Sequence, residues 1–345
     1  MRAVILAGGF ATRLRPLSCS KPKLLFPIVG VPLVESMARW LSSNGVDQII
    51  LAVNHLSDRL RVTIGDHLGA LKVSFSVEAT PLGTGGPIKL AQNLLSDNEP
   101  FVVINGDIVT NIDLKGMLAY HKAKNPEATI ALVSAGDPSS YGSVMTDSSG
   151  LIRKFIEKSD RGGGPDLVNA GVYIFSSQIV GSIPSGRSVS LERDIFPKLV
   201  ETRRLQGWTH NGFWYDIGRI PDYIRANKEL LKLYGRTGGG SGIAPGVQIH
   251  EPVFIGENSH VGSNAIIGPS SILSHSVSVG FKSAVKNSIV FEETEIGDGT
   301  IVEGSVVGER VIIGKNSKIG NGSIIAGQLT IPGGTTLAPN STILC

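Results

Sequence analysis

The sequence predicts an α/β domain with a mostly parallel sheet, followed by a stack of short strands wound into a coil. In the first two thirds, apolar strand-like runs alternate with helical stretches, which is typical of a parallel sheet with helices on both faces. In the last third, aliphatic residues recur at every sixth position from Ile243 to Phe291, and again from Val307 to Ile343 after two shifts of one residue. A helix repeats about every 3.6 residues and a strand about every 2, so neither gives this spacing. A triangular coil of short strands does.

The elements and boundaries of the first part follow from the same patterns. We expect strands at Ala3–Leu6, Gln48–Val53, Lys72–Val77, Phe101–Asn105, Thr129–Val133, Leu151–Ile156 and Leu167–Phe175. We expect helices at Val34–Ser43, Leu56–Leu68, Pro87–Leu95 and Asp222–Tyr234. A glycine-rich stretch after the last helix has linker composition. The predicted domains are therefore residues 1–235, a linker at 236–242, and a coil domain at 243–345.

Composition and charge exclude several classes of protein. The chain has 345 residues, of which 41% are hydrophobic and 18% charged, as expected for a globular protein of two domains. A net charge of +3 is too small to argue for a nucleic acid or an anionic membrane as partner. No apolar run approaches the roughly 20 residues of a bilayer span. The two cysteines, Cys19 and Cys345, make no disulfide framework, so we expect a cytoplasmic protein.

The strongest chemical signal follows the first predicted strand. Gly8 and Gly9 allow backbone N–H groups to approach a phosphate because no Cβ stands in the way. Arg13 and Lys23 supply fixed positive charge for a polyphosphate. Gly8-Gly9 alone is explained equally well by an ordinary turn. The addition of Arg13, Pro22 and Lys23 favours a phosphate site.

Two further features lie at the ends of predicted strands. The loop Glu78–Pro87 is rich in small residues that can close over a flat ring, although an ordinary glycine turn explains it equally well. Asp107 and Asp216 each stand where an apolar strand ends, which is the expected rim of the ligand crevice in such a sheet. An aspartate in that place is more often a helix cap or turn residue. Two of them also match the one or two carboxylates that Mg²⁺ takes together with phosphate oxygens.

The motif Gly8-Gly9-x-x-Thr12-Arg13-Leu14 with Pro22-Lys23 resembles the signature of the sugar-1-phosphate nucleotidylyltransferases. That family has a Rossmann-like sheet, and many members append a hexapeptide-repeat, left-handed parallel β-helix, so the resemblance covers nearly the whole chain. The sequence departs from the pattern at Ala11, where the family usually has Gly. The resemblance implies Mg²⁺-dependent transfer of a nucleotidyl group from a nucleoside triphosphate to a sugar 1-phosphate. The loop Glu78–Pro87 resembles the guanylyltransferase branch, which favours GTP and mannose 1-phosphate as substrates of a reaction that gives GDP-mannose.

The resemblance also implies roles for individual residues. It implies that four residues are catalytic, two of them as metal ligands: Arg13, Lys23, and the metal-binding Asp107 and Asp216. It implies that the nucleotide is bound by Leu6, Gly8, Gly9, Thr12, Glu78, Gly83, Thr84 and Gly106. It implies that the sugar phosphate is bound by Gly142, Glu157, Lys158 and Asn169, and we add Arg219 as a further contact to its phosphate.

Other interpretations stay open. Within the same class, the chain is alternatively a glucose-1-phosphate thymidylyltransferase or uridylyltransferase. A regulatory subunit without turnover is a different class, and such subunits tend to lose the charged residues that this chain keeps. A third interpretation makes the coil an acetyltransferase with a histidine as base, although His250, His260 and His275 are more simply surface residues. Because exposed coil edges are often covered by another subunit, we also expect a homo-oligomer.

Overall fold

Buried aliphatic runs form a mixed sheet with a parallel centre in the first part of the chain. The computed structural model describes residues 1–54, 58–135, 141–156, 167–235 and 242–344. In chain order, the strands and helices of the first part within these ranges are β1 Arg2–Leu6, α1 Leu17–Ser20, β2 Pro27–Ile28, β3 Val31–Pro32, α2 Leu33–Ser43, β4 Gln48–Asn54, α3 Asp58–Ile64, β5 His67–Leu68, β6 Leu71–Glu78, α4 Gly86–Leu90, β7 Phe101–Asn105, β8 Ile108–Thr110, α5 Leu114–Lys124, β9 Ala128–Ser134, β10 Ser143–Thr146, β11 Ile152–Ile156, β12 Leu167–Phe175, α6 Ile179–Ser182, α7 Phe196–Glu201, β13 Leu205–Thr209, β14 Trp214–Asp216 and α8 Ile220–Tyr234. Short 3₁₀ turns cover Thr12–Leu14, Lys23–Leu25 and Gln92–Leu94.

The strand order of the sheet is β11-β10-β12-β7-β1-β4-β6-β5, with β9 paired to β12 and to β13. The central strands β7, β1, β4 and β6 run parallel, and β12 runs antiparallel to β7. β1, β4 and β7 are buried along almost their whole length, as is usual when helices cover both faces of a parallel sheet. The predicted fold class of this part is confirmed.

Most predicted elements are present, with differences at their ends. β7 and β12 have the predicted bounds. The predicted helix Leu56–Leu68 begins on residues 56 and 57, which lie outside the described residues. It ends earlier than predicted, since α3 ends where Gly65 adopts a positive φ and donates its N–H to Arg61 O at 2.9 Å. Helix α5 was not predicted, although Asp113 caps its first turn and Asn125 ends it in the left-handed conformation. In the described part of the chain, no helix has both the length and the apolar character that a membrane crossing requires.

The last third of the chain is a β-helix. Its strands are β15 Gly242–Ile243, β16 Gln248–Ile249, β17 Val253–Ile255, β18 His260–Val261, β19 Ile266–Ile267, β20 Ser271–Leu273, β21 Ser278–Val279, β22 Ala284–Lys286, β23 Ile289–Val290, β24 Glu295–Ile296, β25 Ile301–Glu303, β26 Val306–Val307, β27 Ile312–Ile313, β28 Lys318–Ile319, β29 Ile324–Ile325, β30 Thr330–Ile331, β31 Thr336–Leu337 and β32 Thr342–Ile343. Every third strand pairs in parallel, which gives three six-stranded sheets within the described residues. The predicted left-handed parallel β-helix is confirmed.

Aliphatic side chains fill the interior of the β-helix, and hydroxyls line its corners. The six-residue series supplies the interior, for example Val261, Ile267 and Leu273, none more than 2% exposed. Buried hydroxyls link successive coils. Thr294 Oγ1 donates to Gly308 O at 2.8 Å, and Thr300 Oγ1 donates to Gly314 O at 2.9 Å. These bonds satisfy backbone carbonyls that the turns leave without a strand partner.

The first one-residue shift in the six-residue series comes earlier in the chain than the sequence predicts. Leu273 pairs with Val290, which is seventeen residues later, whereas Ile255 pairs with Leu273 eighteen residues later. Val290 therefore takes the interior position that the series assigns to Phe291. Phe291 is also fully buried, but its ring packs against Phe26. The sequence pattern does not reveal this shift, because Val290 and Phe291 are both large and apolar.

Residues group into two compact units that differ from the composition-based domains. One unit comprises Met1–Phe10 and Val34–Asp216, and the other comprises Ala11–Leu33 and Ile217–Cys345. The segment Ala11–Leu33 and helix α8 therefore group with the β-helix rather than with the large sheet. Most of the predicted linker, residues 236–241, lies outside the described residues.

His121 is a buried histidine on α5, and both of its ring nitrogens lie within hydrogen-bonding distance of neutral hydroxyl groups. Its Nδ1 lies 2.8 Å from Thr129 Oγ1 and its Nε2 lies 3.1 Å from Ser176 Oγ. Ser176 Oγ donates its own hydrogen to Pro126 O, so we assign the ring proton to Nε2. Burial, with a smaller contribution from Lys122, lowers the pKa of His121 to about 4.

We predict that His121 makes the fold sensitive to mild acid. The unfolded chain binds a proton at this residue near pH 6.5, whereas the folded chain does so only near pH 4. Stability is therefore present above pH 6.5 and is lost as the pH falls toward 4, by about 2 kcal/mol between pH 7 and 5. Urea unfolding at both pH values should show this loss in the wild type and not in His121→Gln. His260→Gln, at an exposed site, is the control and should keep the loss.

Candidate active site

Four parallel strands end at one edge of the large sheet, and most predicted nucleotide-binding residues lie there. Leu6 at the end of β1 pairs with Ala52 on β4 and with Asn105 at the end of β7. Asn54 at the end of β4 pairs with Glu78 at the end of β6. Loops that follow these strands therefore share one edge, which is where sheets of this kind bind ligands.

The first glycine loop is tied to the neighbouring strands by its own backbone. Gly106 N–H donates to Leu6 O at 2.9 Å, and Asn54 Nδ2 donates to Gly8 O at 3.0 Å. A Cβ added at Gly9 would meet no atom within 4 Å. The chain at Gly9 thus faces open space that a ligand can enter.

Glu78 joins the first glycine loop to the second. Its side chain is buried, and its Oε2 accepts from Leu82 N–H at 3.1 Å. Its Oε1 lies so close to Gly8 that a Cβ added there would overlap it. Gly8 is therefore required by the neighbouring carboxylate, which the sequence did not reveal.

The second glycine loop is held by a segment that no sequence motif identified. Gly83 has φ +76°, and a Cβ there would collide with Val189 O. Gly85 N–H donates to Val189 O at 2.8 Å, and Val189 N–H donates to Leu82 O at 2.9 Å. The loop thus pairs with the backbone around Val189 through hydrogen bonds, as one short strand pairs with another.

The hydroxyl of Thr84 belongs to the same contact. It donates to Glu192 Oε2 at 2.8 Å and accepts from Leu191 N–H at 2.8 Å. Ser190 Oγ also donates to Glu192 Oε2 at 2.8 Å. Glu192 therefore fixes the loop from behind. Ser190 followed by Glu192 and Asp194 is a helix-start pattern, the signal that could have pointed to this segment.

Asp107 and Asp216 are brought to neighbouring positions of paired strands. Asp216 ends β14 and has Ile108, the first residue of β8, as its register partner. Asp107 directly precedes Ile108, and both aspartates are half-buried. No cluster of three or more His, Cys, Asp or Glu side chains suited to a metal occurs among the described residues. A pair of carboxylates fits Mg²⁺, which takes its other oxygens from phosphate and water.

The predicted sugar contacts Gly142 and Asn169 lie side by side. Asn169 N–H donates to Gly142 O at 2.9 Å. The Asn169 amide is used locally, because Oδ1 accepts from Gly171 N–H and Nδ2 donates to Tyr173 OH, each at 2.9 Å. Asn169 thus shapes an irregularity in β12, where the register with β9 shifts. The predicted contacts Glu157 and Lys158 lie outside the described residues.

Trp214 connects these two segments to the strand that carries Asp216. Its Nε1–H donates to Ala170 O at 2.8 Å, and its ring packs edge-on against Tyr141 with centroids 5.1 Å apart. This packing sets the spacing of the Tyr141 and Ala170 segments.

The remaining predicted residues belong to the second compact unit. Thr12 and Arg13 are exposed within a 3₁₀ turn, and Lys23 is half-buried at the start of the next one. Arg219 is exposed directly before α8.

The backbone conformation at Ala11 explains why the family pattern has glycine at this position. Its backbone is left-handed, with φ 49° and ψ 36°. Ala11 O accepts from Leu14 N–H at 3.0 Å and from Ser18 Oγ at 2.9 Å. The conformation costs about 1 kcal/mol for a residue with a Cβ, and these two bonds offset that cost.

Comparison with known proteins accounts for both parts of the chain. A family model described as Nucleotidyl transferase matches residues 2–233, and one described as GMPPB C-terminal domain matches residues 249–344. Mannose-1-phosphate guanylyltransferase 1 of Arabidopsis thaliana is 37% identical over 267 residues, covering 74% of this chain and 73% of the relative. Mannose-1-phosphate guanylyltransferase of Mycobacterium tuberculosis is 31% identical over 272 residues, covering 74% of this chain and 75% of the relative.

Solved structures share the first part of the fold. HddC from Yersinia pseudotuberculosis, crystallised in complex with GMP-PN, has a TM-score of 0.57 and 30% identity to this chain. The match covers 66% of this chain and 99% of that protein.

We predict that Gly8 and Gly9 are needed for different reasons. In Gly8→Ala the new methyl group displaces the Glu78 carboxylate, so the free energy of unfolding should fall by about 1–3 kcal/mol. In Gly9→Ala the methyl group enters open space, so stability should change by less than about 0.5 kcal/mol. A bound triphosphate would occupy that space, and its affinity should fall.

Urea unfolding and calorimetric titration with GTP measure the two effects separately. Gly181→Ala, where the added Cβ also meets no atom within 4 Å, is the matched control for both. Equal destabilisation in Gly8→Ala and Gly9→Ala would contradict the prediction.

Proposed function

This chain belongs to the nucleotidyl transferase family, and we propose that it converts GTP and mannose 1-phosphate into GDP-mannose and pyrophosphate. Two relatives that match nearly three quarters of the chain carry the name mannose-1-phosphate guanylyltransferase. A solved relative is titled as a complex with GMP-PN. The proposal rests above all on one structural observation, the adjacent placement of Asp107 and Asp216 in the unit that carries both glycine loops.

The reaction is a direct displacement at phosphorus. A phosphate oxygen of the sugar 1-phosphate attacks the α-phosphorus of the nucleoside triphosphate and forms the new P–O bond. The bond between the α-phosphorus and the oxygen bridging to the β-phosphate breaks, and pyrophosphate leaves with that electron pair. Two anions must meet, so the protein contributes position and positive charge rather than a nucleophile.

Positively charged side chains hold the phosphates in this proposal. Arg13 and Lys23 bind the β- and γ-phosphates and the charge that develops on the leaving pyrophosphate. Lys158 binds the phosphate of the sugar, and Arg219 adds a contact to it. Backbone N–H groups at Gly8 and Gly9 approach the triphosphate, and the structure leaves open space beside Gly9.

Two carboxylates are assigned to the metal. Asp107 and Asp216 would hold a Mg²⁺ ion, which would supply charge neutralisation to the reacting phosphates. Mg²⁺ suits the site because it takes few protein ligands and keeps phosphate and water oxygens.

Glu78 is the residue that we assign to the choice of base. Guanine carries N–H donors along one edge, and a carboxylate can accept hydrogen bonds from them. Glu78 is buried between the two glycine loops, and its bond to Leu82 N–H fixes its orientation. The remaining predicted nucleotide contacts, Leu6, Thr12, Gly83, Thr84 and Gly106, act through the loops that they shape.

A turnover grid tests the proposed function. Pyrophosphate release is measured with GTP, dTTP, UTP and ATP against mannose 1-phosphate, glucose 1-phosphate and galactose 1-phosphate, with Mg²⁺ present. We expect the highest kcat/KM with GTP and mannose 1-phosphate. A preference for dTTP or UTP with glucose 1-phosphate would identify a thymidylyl- or uridylyltransferase instead, and no turnover with any pair would indicate a regulatory subunit.

We predict that Lys23→Ala and Asp107→Ala each lower turnover by about 10² or more, since a group that stabilises transition-state charge contributes that much. Both proteins should remain folded by thermal unfolding. Lys115→Ala and Asp97→Ala remove exposed residues of the same types and serve as controls with wild-type turnover. Turnover near the wild-type level in either test variant would refute the role assigned to that residue.

We also propose that the chain forms a homo-oligomer through the β-helix. Ile312 lies on the outer face of one of its three sheets and is more than two fifths exposed, which is apolar surface that a second copy can cover. Light scattering of the purified chain should give a mass above that of one chain. Ile312→Lys should lower that mass, and a wild-type monomer would contradict the proposal.

A further inference from the structure

The turn that carries Lys23 is held at both ends by two consecutive residues of the β-helix. Lys21 lies two residues before Lys23, and Phe26 lies three residues after it. Lys21 forms an ion pair with Glu292, and Phe26 packs against Phe291. All of these residues belong to the same compact unit.

The ion pair is buried, which distinguishes it from the other ion pairs seen among the described residues of this unit. Lys21 is 6% exposed and the Glu292 side chain is 13% exposed. A buried ammonium is unfavourable without a partner, so its carboxylate determines where it can lie. By contrast, the neighbouring pair of Glu293 with Arg310 is about half exposed on both sides and constrains little.

Ser20 extends the same contact along the β-helix. A Cβ added at Gly327 would meet both Ser20 Oγ and Glu309 Oε2 within about 2.6 Å. Glu309 is 1% exposed. Ser20 and Lys21 therefore lie against one corner of the β-helix, and a glycine in that corner makes the close approach possible.

The aromatic contact fixes the other end of the turn. Phe26, Phe291 and Tyr223 of α8 are fully buried and pack edge to face, with ring centroids between 5.6 and 6.1 Å apart. Tyr223 OH donates to Pro27 O at 2.6 Å. The chain after Lys23 is thereby fastened to both α8 and the β-helix.

The hairpin that follows is fastened in the same way. Val29 has φ 46°, a strained value for a β-branched residue, and its N–H donates to the buried Asn227 Oδ1 at 2.8 Å. A Cβ at Gly30 would overlap the ring of Phe254. Contacts from outside the segment thus fix the chain at several points between Ser20 and Gly30.

The early shift in the six-residue series supplies these contacts. Because the coil from Leu273 to Val290 is one residue short, Val290 fills the interior and Phe291 and Glu292 lie outside it. A regular series would place residue 291 in the interior and would not offer this apolar and acidic pair to the segment.

We propose that the β-helix positions Lys23 for nucleotidyl transfer, with Glu292 and Phe291 as positioning residues that hold the two ends of its turn. The consequence for turnover rests on the proposed function, whereas the consequence for the turn itself does not. A displacement of about 1 Å in a group that binds the transition state lowers the rate by up to about 10²-fold. The β-helix is then a part of the catalytic apparatus as well as an assembly surface.

The test compares Glu292→Gln with Glu293→Gln in the full-length chain. Glu292→Gln keeps the size of the side chain and removes the charge that holds Lys21. We expect kcat to fall about tenfold or more while KM for the sugar phosphate changes less than about threefold, because a misplaced Lys23 loses a contact made mainly in the transition state. Glu293→Gln breaks the exposed pair on the same coil and should leave kcat unchanged.

Hydrogen exchange supplies a readout that does not depend on the substrate. Backbone amides of residues 20–28 should exchange faster in Glu292→Gln than in the wild type or Glu293→Gln. Lys21→Met combined with Glu292→Gln should lower kcat no further than the single variants, because both changes break one interaction. If Glu292→Gln does not fold, Phe291→Leu tests the opposite end of the turn with the same measurements and the same expectations.

Two results would overturn the inference. One is wild-type kcat in Glu292→Gln despite faster exchange at residues 20–28, and the other is unchanged exchange at these residues. If the wild-type chain turns over no substrate pair, the proposed function fails on its own. The exchange measurement then still decides whether Glu292 holds the turn.

Discussion

The parallel pairing of β7, β1, β4 and β6 is the constraint on which the candidate site depends. Parallel strands end at the same edge of a sheet, so the loops after all four strands must meet there. The edge then has to accommodate two glycine loops and a buried carboxylate in little space. The Glu78 carboxylate lies between the loops, directly against residue 8. This contact explains why residue 8 is a glycine, without invoking a ligand.

The β-helix plays a larger part than its regular sequence indicates. Its interior needs only one aliphatic residue on each face of every coil, and the six-residue series provides it. The coil from Leu273 to Val290 is one residue short, and this irregularity places an aromatic ring and a carboxylate against the segment that carries the predicted phosphate ligands. A departure from a repeat is thus the feature of the β-helix most closely linked to chemistry.

Much of the fold and the identity of the family could be predicted from the sequence. The alternating elements, the β-helix and the nucleotidyl transferase family are confirmed, because apolar periodicity and the signature around Gly8 and Arg13 are local patterns. Helix α5 was missed since its apolar series is weak and its caps are single residues. The segment from Val189 to Glu192 was missed because it supports the second glycine loop from a hundred residues away. The assigned site residues stay predictions; the strand register shows only that Asp216 lies opposite Ile108, the residue that follows Asp107.

The sequence by itself determined the type of each element, the coil architecture and the chemical nature of the candidate ligands. These properties depend on the spacing and kind of neighbouring residues, which a sequence displays directly. The tertiary structure alone decided which distant residues meet: Asp216 beside Asp107, Glu78 against Gly8, and Lys21 with Glu292. Such contacts depend on strand register and on the burial of charge. Both are set by the packing of the whole chain, because a shift of one residue changes every partner along a strand.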